Sequence, residues 1–405
     1  MARILRKWFE GFYRHLHLED GRWPSKCIRK EIAYLIKSRF PCQTTLDDEC
    51  INHFLKASRY IDTYHNLNHK KQYETGSTEI TIAFVGDILF TPGSLINYLT
   101  DSVFRFLNDA DCIILNLETS ISSGHAIPKY AMETFNSSSD ILCPWERILG
   151  QKIFSLCNNH ALDCGVSGLN NTSRVIKTQP NASVLGGALK GDEQLILETD
   201  GFKIGFIGIT HSVNKHQDDA AGTGIPIIPL TKPNCYNELE YIKSRIKKLI
   251  KEQCDIIILV AHWGYEHEHW PNFHQRINAY QLIEMGVDVI FGHSPHVVQP
   301  VEYISIDGFD KDCPTQLSRG GEPRQAVILY SVGNALSYMM GREAKSGIFP
   351  KLTFRLIQGI SRKRLEIKSM RIMPIKTQMT KEGCKVFEIK NCTKYFWHQL
   401  FKGLI

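Results

Sequence analysis

Short apolar runs rich in isoleucine and valine recur from about residue 79 onwards, and most are separated by segments whose apolar residues repeat with helical spacing. Buried strands that alternate with helices predict an α/β sheet with helices on its faces. The predicted strands are Ile80–Val85, Cys112–Leu115, Ile153–Leu156, Lys203–Ile209, Ile256–Val260, Val287–Phe291 and Ala326–Tyr330, and the predicted helices are Pro92–Asn108, Gly168–Thr178, Cys235–Gln253 and Arg276–Glu284.

The chain ahead of this region shows further helical patterns. Residues 3–16 repeat apolar side chains with helical spacing and carry basic residues on the opposite side. Such a helix either lies on an anionic membrane surface or packs on its own domain, and the sequence leaves both interpretations open. Residues 28–40 and 48–62 show the same spacing, and the polar stretch 65–77 predicts a linker.

The last quarter of the chain adds a loop and more strands. The stretch 304–324 is rich in Gly, Asp and Pro, which predicts a long surface loop. Residues 350–376 alternate as antiparallel strands do, and residues 393–405 favour an aromatic-rich helix. The predicted organisation is a helical N-terminal extension at residues 1–77, an α/β domain at 78–376 and a C-terminal strand and helix segment at 377–405.

Composition narrows the class of protein. Apolar residues make up 43% of the 405 residues and charged residues 22%, which is typical of a globular chain. The longest apolar run, near residues 256–261, is far shorter than the roughly 20 residues that span a bilayer, so we expect no integral membrane segment. The 12 cysteines include no CxxC pair, and the start lacks a signal-peptide core. We therefore expect reduced thiols and a cytoplasmic location, or one peripheral to a membrane through the first helix.

The net charge of +6 is unevenly distributed, because both ends of the chain are basic and the middle is acidic. An acidic centre fits a site that holds cations, although the basic ends can equally be ordinary solvated termini. The basic residues do not concentrate on one element, so we expect no nucleic-acid partner.

Polar and ionisable side chains follow the predicted strands at their carboxyl ends, where open α/β sheets bind ligands. Each group alone has an ordinary explanation, such as a helix N-cap for Asp87 or a turn for Asn158 and Asn159. Six of the 16 histidines lie between residues 262 and 296, and we expect three of them, His267, His269 and His274, in a surface loop. The occurrence of such groups at several strand ends together favours a metal or catalytic site. Carboxylates, amides and imidazoles suit one or two ions of Zn, Mn or Fe. The groups are Gly86-Asp87, Asn116-Leu117-Glu118, Asn158-Asn159-His160, His262-Trp263-Gly264, Gly292-His293-Ser294-Pro295-His296 and Ser331-Val332-Gly333-Asn334.

This ordered set of motifs resembles the CapA family, which is named for poly-γ-glutamate capsule synthesis and is similar to the calcineurin-like metallophosphoesterases. The resemblance spans about residues 79–375 and leaves the first 77 residues unexplained. It implies a layered α/β sandwich of the metallophosphoesterase type, with a divalent metal as cofactor.

The resemblance also implies roles for individual residues. Glu118 would be the bridging carboxylate, and His160 would act at the leaving group as an acid or electrostatic partner, with Asp87 and Glu118 completing the catalytic set. Ser294 departs from the family, which usually has a second consecutive histidine there, and Leu89 stands where phosphoesterases supply a histidine. Candidates to orient the ligands are Asp163, Glu266 and Asp288. The implied metal ligands are Asp87, Glu118, Asn159, His262, His293 and His296, and the implied substrate-binding residues are Asn116, Asn158, Ser331 and Asn334.

Three functions remain open from the sequence. The first is a metal-dependent hydrolase of a γ-glutamyl polymer or peptide, or of a related polyanionic substrate. The second is a phosphoesterase that acts on a small phosphorylated metabolite. The third is a non-catalytic accessory subunit of a membrane polymer synthase, which the basic first helix and Ser294 both favour.

Overall fold

The computed structural model describes much of the chain from residue 77 onwards. The predicted helices at 3–16, 28–40, 48–62 and 393–405, nearly all of the linker at 65–77 and most of the loop at 304–324 lie outside the described residues. The described residues are 77–89, 91, 95–127, 134–306, 324–339, 341–358, 363–381 and 383–390.

One sheet within the described residues has eight strands and mixes parallel with antiparallel pairing. Its order is β14-β13-β12-β1-β2-β3-β4, with β11 beside β1. The strands β1 to β4 run parallel, and β12, β13 and β14 continue the sheet in antiparallel fashion. The bounds are β1 (Thr78–Leu89), β2 (Cys112–Glu118), β3 (Gln151–Ser155), β4 (Ala182–Leu185), β11 (Asn334–Leu336), β12 (Ser346–Gln358), β13 (Lys363–Thr380) and β14 (Gly383–Glu388).

The second sheet has the order β5-β6-β7-β8-β10-β9 in the same part of the chain. Its four central strands are parallel, and β5 and β9 pair with them antiparallel at the two edges. The bounds are β5 (Gln194–Thr199), β6 (Phe202–Thr210), β7 (Ile256–His262), β8 (Val289–His293), β9 (Val301–Ile306) and β10 (Arg324–Leu329).

The two sheets stack on each other, and helices cover their outer faces. In β7, for example, Ile258 and Val260 pack between the sheets, whereas Leu259 and Ala261 pack under the helices. Burial on both faces explains why these strands are nearly continuous apolar runs in the sequence. The helices are α1 (Asp101–Asn108), α2 (Cys143–Glu146), α3 (Gly165–Lys177), α4 (Gln217–Ala220), α5 (Tyr236–Lys251) and α6 (Phe273–Glu284), with 3-10 turns at Ser139–Leu142 and Glu343–Lys345.

The core follows this layering. Phe84 of β1 and Phe291 of β8 meet between the sheets with ring centroids 5.3 Å apart. Helices α1 and α3 cover the first sheet, and α5 and α6 cover the second. None of the helices described is long and apolar enough to cross a bilayer.

The predicted α/β fold is confirmed, and the differences lie at its edges. The helix predicted over Pro92–Asn108 begins only at Asp101, because Leu99 bridges to Val386 and the Thr100 N–H donates to the Val386 carbonyl. The structure also adds four strands that the pattern missed. These are β4, β5, β9 and β11, of which β4 and β5 are only partly buried and β11 has three residues.

Candidate metal centre

Strands from both sheets end at one rim, and this rim gathers the ionisable groups. Asp87 near the end of β1 is in register with Asn116 of β2 and with Asn334 of β11. His262 and His293 end the neighbouring strands β7 and β8 and are in register with each other. The close approach of β11 to β1 requires a glycine at residue 86, because a Cβ on Gly86 would lie 1.9 Å from the Gly333 carbonyl oxygen.

The first group of candidate ligands contains Asp87, His262 and His293. Their ligand atoms all lie within 4.8 Å of one another, and all three side chains are buried. The two Nδ1 atoms of His262 and His293 are 2.8 Å apart, and Nδ1 of His293 is 3.6 Å from Oδ1 of Asp87. Two imidazoles and a carboxylate in this arrangement match the donor set of a transition-metal site.

The second group contains Asp87, Glu118 and His296, again within 4.8 Å and again buried. Nδ1 of His296 lies 3.2 Å from Oδ2 of Asp87, and Nε2 of His296 lies 3.9 Å from Oε1 of Glu118. Asp87 therefore belongs to both groups, whereas Glu118 belongs to the second group alone. Glu118 also approaches Nε2 of His262 at 3.6 Å, so the two groups form one continuous cluster.

The electrostatics of the cluster favour a positive charge among the carboxylates. Burial opposes ionisation of Asp87, yet the hydrogen bond and charge of His296 outweigh it and hold the pKa of Asp87 far below its usual value. Burial, helped by the charge of Asp87, raises the pKa of Glu118 well above its usual value. Burial also disfavours charged His296, but Glu118 and Asp87 prevail and raise its pKa to about 10. By contrast, burial lowers the pKa of His293 to about 4 and that of His262 far below its usual range.

The residues present fit a divalent metal. Buried polar atoms in proteins nearly always have hydrogen-bond partners, but several in this cluster have none among the described residues. All of them belong to carboxylate, amide or imidazole groups, which are metal-ligand types. They are both carboxylate oxygens of Glu118 and Nε2 of His262 and of His293, and Oδ1 of the predicted ligand Asn159 is likewise buried without a partner among the described residues.

His160 lies in the turn after β3 and is held from several sides. Its Nδ1 is 2.7 Å from Oδ2 of Asp163, the same oxygen that accepts the Phe135 backbone N–H at 2.7 Å. Because that oxygen accepts, Nδ1 of His160 carries the proton and Nε2 is left for other partners. The imidazole also stacks on the Phe135 ring, with centroids 3.8 Å apart and planes 6° from parallel.

The side chains predicted to bind substrate form hydrogen bonds within the protein. The Asn116 amide donates to Oδ1 of Asp87 at 2.7 Å and accepts from Asn158 at 3.1 Å. The Asn158 amide also donates to the Leu117 carbonyl and accepts the His160 N–H. Both side chains are fully buried, and their hydrogen bonds hold Asp87 and the backbone of His160 in place.

Ser331 and Asn334 are likewise buried and bonded within the protein. The Ser331 hydroxyl donates to the Val297 carbonyl at 2.8 Å. The Asn334 amide donates to the Ala344 carbonyl, and its oxygen lies 3.0 Å from Nδ1 of His296. These contacts position the loop that carries His296.

Two histidines expected on the surface are in fact buried. His267 and His269 are 0% and 7% exposed, so that expectation was wrong for them, and Nε2 of His269 lies 2.9 Å from Glu343. Among the candidates for orienting ligands, Asp163 holds His160, whereas Asp288 sits at the opposite end of β8 and binds the Ile257 N–H.

Sequence reasoning missed three residues at this rim. His211 follows β6, its N–H donates to the His262 carbonyl at 2.7 Å, and the strand-end rule would have found it. Asn214 lies 3.4 Å from Nε2 of His160, and Phe135 stacks on the same ring. Both come from loops, which have no hydrophobic period that a pattern could detect.

The stacked sheets with their outer helices define a layered α/β sandwich, and the acids, amides and imidazoles at the strand ends define a candidate metal centre. The chain belongs to the family described as bacterial capsule synthesis protein PGA_cap, whose sequence model matches residues 81–339. This confirms the resemblance to the CapA family.

Two curated relatives share part of the chain. It is 26% identical over 272 residues to PGA biosynthesis protein CapA of Bacillus subtilis, which covers 63% of this chain and 62% of the relative. It is 24% identical over 273 residues to capsule biosynthesis protein CapA of Bacillus anthracis, covering 63% and 59%. The chain thus spans about three-fifths of the length of each relative.

One solved structure with a similar arrangement is the calcineurin-like phosphoesterase YfkN from Bacillus subtilis. The alignment covers 81% of this chain and 98% of that one, at 13% identity and a TM-score of 0.41. The fold of this chain is defined by its own sheet order and layering.

Proposed function

We propose that this chain is a metal-dependent hydrolase that cleaves γ-glutamyl bonds in a polymer or peptide during poly-γ-glutamate or capsule biosynthesis. The observation that carries the proposal is the pair of buried ligand groups that share Asp87, on the same rim as the His160–Asp163 pair. The names of the two curated relatives support the substrate class.

Asp87, His262 and His293 would hold one ion, and Asp87, Glu118 and His296 would hold a second. Zn, Mn and Fe all suit this donor set. A bound divalent ion supplies a hydroxide nucleophile near neutral pH and polarises the bond that is attacked.

The residues of the chain supply positioning and proton transfer. The Asn116 amide holds the carboxylate of Asp87 in place by donating a hydrogen bond of 2.7 Å to Oδ1. Asp163 holds one proton of His160 on Nδ1, so Nε2 is the atom that can accept the proton released by the attacking water and then pass it to the leaving amine. Stacking on Phe135 keeps the imidazole in one orientation during this transfer.

One observation favours a non-catalytic accessory role as the second candidate. Ser294 stands where the family usually has an additional histidine, and only its backbone N–H reaches Asp87, at 3.3 Å. One fewer imidazole would weaken metal binding and leave a protein that binds the polymer without cleaving it.

The test is turnover of γ-glutamyl peptides and of an activated phosphodiester by the wild type, His160→Gln and His293→Ala. We expect amine release from the peptides by the wild type only, with metal retained in His160→Gln and lost in His293→Ala. Turnover of the phosphodiester alone would replace the proposal with phosphoesterase activity. A metal-loaded wild type without any turnover would establish the accessory role, and wild-type rates in both variants would contradict the site.

A further inference from the structure

Two loops meet over His160, and a lysine lies where they join. Phe135 of the first loop stacks on the imidazole, and Asn214 of the second approaches Nε2 at 3.4 Å. The second loop is fixed in place because the Asn214 N–H donates to the Asn159 carbonyl at 2.8 Å. The next residue, Lys215, reaches back across to the first loop and donates to the hydroxyl of Thr134, the neighbour of Phe135.

The ammonium group of Lys215 is partly buried, and its polar partner there is a neutral hydroxyl. Among the described residues, no carboxylate oxygen lies within 4.0 Å of the Lys215 ammonium nitrogen, the distance that defines an ion pair. Burial raises the pKa of the Cys164 thiol and the charge of Lys215 partly opposes this, so the ammonium lies near the residue that follows Asp163. A partly desolvated cation that has no acidic partner among the described residues is stabilised when an anion joins it.

The chemistry of the γ-glutamyl bond places an anion close to this position. The leaving nitrogen belongs to the next glutamate of the chain, and the α-carbon bonded to that nitrogen carries a free carboxylate. The carboxylate carbon is therefore only two bonds from the nitrogen that receives the proton from His160. The Lys215 ammonium is held by the residue next to Phe135, whose ring stacks on that histidine, and it is therefore suitably placed to meet the carboxylate.

We propose that Lys215 binds the α-carboxylate of the residue on the leaving-group side of the γ-glutamyl bond and so selects substrates that carry it. This inference rests on the proposed function, because it takes His160 as the group that faces the leaving amine. It identifies a specificity residue outside the cluster of metal ligands. Lys215 contacts the Thr134 hydroxyl rather than any of those ligands.

The first test is equilibrium binding to the full chain after removal of metal with a chelator, measured by calorimetry. The two probes are tri-γ-glutamate and the same peptide with the leaving-side α-carboxylates converted to carboxamides. A charge-assisted hydrogen bond makes the wild type prefer the free acid by about tenfold. Lys215→Met should abolish the preference and Lys215→Arg should retain much of it. Lys247→Met, which removes an exposed lysine from α5, should leave it unchanged.

Several results would overturn the proposal. One is a wild type that binds neither probe, or that binds both with equal affinity. Another is a Lys215→Met variant that keeps the same preference for the free acid as Lys247→Met. A third is binding of inorganic phosphate that depends on Lys215 when binding of the peptide does not. Thermal melts of each variant show whether a lost preference reflects lost folding, and the arginine variant preserves the charge if the methionine variant unfolds.

Turnover by the metal-loaded protein separates this inference from the proposed function. A wild type that prefers the free acid through Lys215 but cleaves no peptide retains the inference and refutes the hydrolase. A wild type that cleaves both peptides with the same KM, unchanged in Lys215→Met, retains the hydrolase and refutes the inference.

Discussion

Asn116→Asp is the substitution that probes the centre of the cluster most sharply, because it exchanges one NH2 group for an oxygen. Nδ2 of Asn116 is 2.7 Å from Oδ1 of Asp87, and both side chains are 0% exposed. The new oxygen would therefore face a carboxylate at hydrogen-bond distance with no water between them. The Asn158 amide keeps its acceptor at residue 116, so the charge is the main change.

The magnitude follows from Coulomb's law. Two unit charges 2.7 Å apart repel by about 6 kcal/mol at an effective dielectric constant of 20. Uptake of a proton by one of the two carboxyl groups limits this cost, and we expect a loss of about 3 kcal/mol of unfolding free energy at neutral pH. The new carboxyl would have a folded-state pKa above the ordinary aspartate value of 3.8. Its penalty is therefore small below that value and grows as the pH rises through the folded-state pKa.

The assay is urea unfolding of metal-free protein at pH 5 and pH 8, with Asn116→Leu as the matched control. The leucine variant loses the hydrogen bonds without adding a charge, so the extra loss in Asn116→Asp, and its growth with pH, measure the repulsion from Asp87. A difference between the two variants below about 1 kcal/mol, or one that does not change with pH, would refute the placement of Asn116 against Asp87.

Three further substitutions test the surrounding geometry. Gly86→Ala would place a Cβ 1.9 Å from the Gly333 carbonyl oxygen, so β1 and β11 must separate, and urea unfolding should show a loss of about 3 kcal/mol; an unchanged midpoint would contradict the close contact. Ser294→Gly relieves a side chain held at a φ of 104° and should raise the urea midpoint by about 1 kcal/mol of stability, whereas a lower midpoint would show that the serine side chain is required. Asp163→Ala frees Nδ1 of His160 and should lower kcat about 100-fold with bound metal unchanged, and loss of the metal as well would argue against a positioning role.

The sequence was informative about the fold where strands are buried on both faces. Strands such as β1 and β7 are continuous apolar runs because one face meets the other sheet and the other meets helices. Strand β5 has mostly half-buried side chains and β11 has only three residues, so neither produces a recognisable pattern. Helix α1 starts late because a tertiary contact with β14 holds the preceding residues, which no local signal could reveal.

The candidate site could be anticipated in part for a similar reason. Parallel strands bring their carboxyl ends to one edge, so Asp87, Glu118, His262 and His293 could be grouped from chain order alone. Asp87 belongs to both ligand groups because its carboxylate lies close to histidines that the second sheet positions. These distances depend on how the two sheets stack, which the sequence does not specify. The partners of His160 come from loops, whose conformation follows no hydrophobic period.

Metal binding by the buried cluster is the main requirement of the proposed function, and metal content measured by plasma mass spectrometry tests it. The comparison is between the wild type, Asp87→Asn and His274→Ala, since His274 lies on α6 and outside both ligand groups. We predict one or two Zn, Mn or Fe ions per chain in the wild type and in His274→Ala, and none in a folded Asp87→Asn. A wild type that cannot be loaded with any of the three metals, or an Asp87→Asn variant with full metal content, would contradict the central claim.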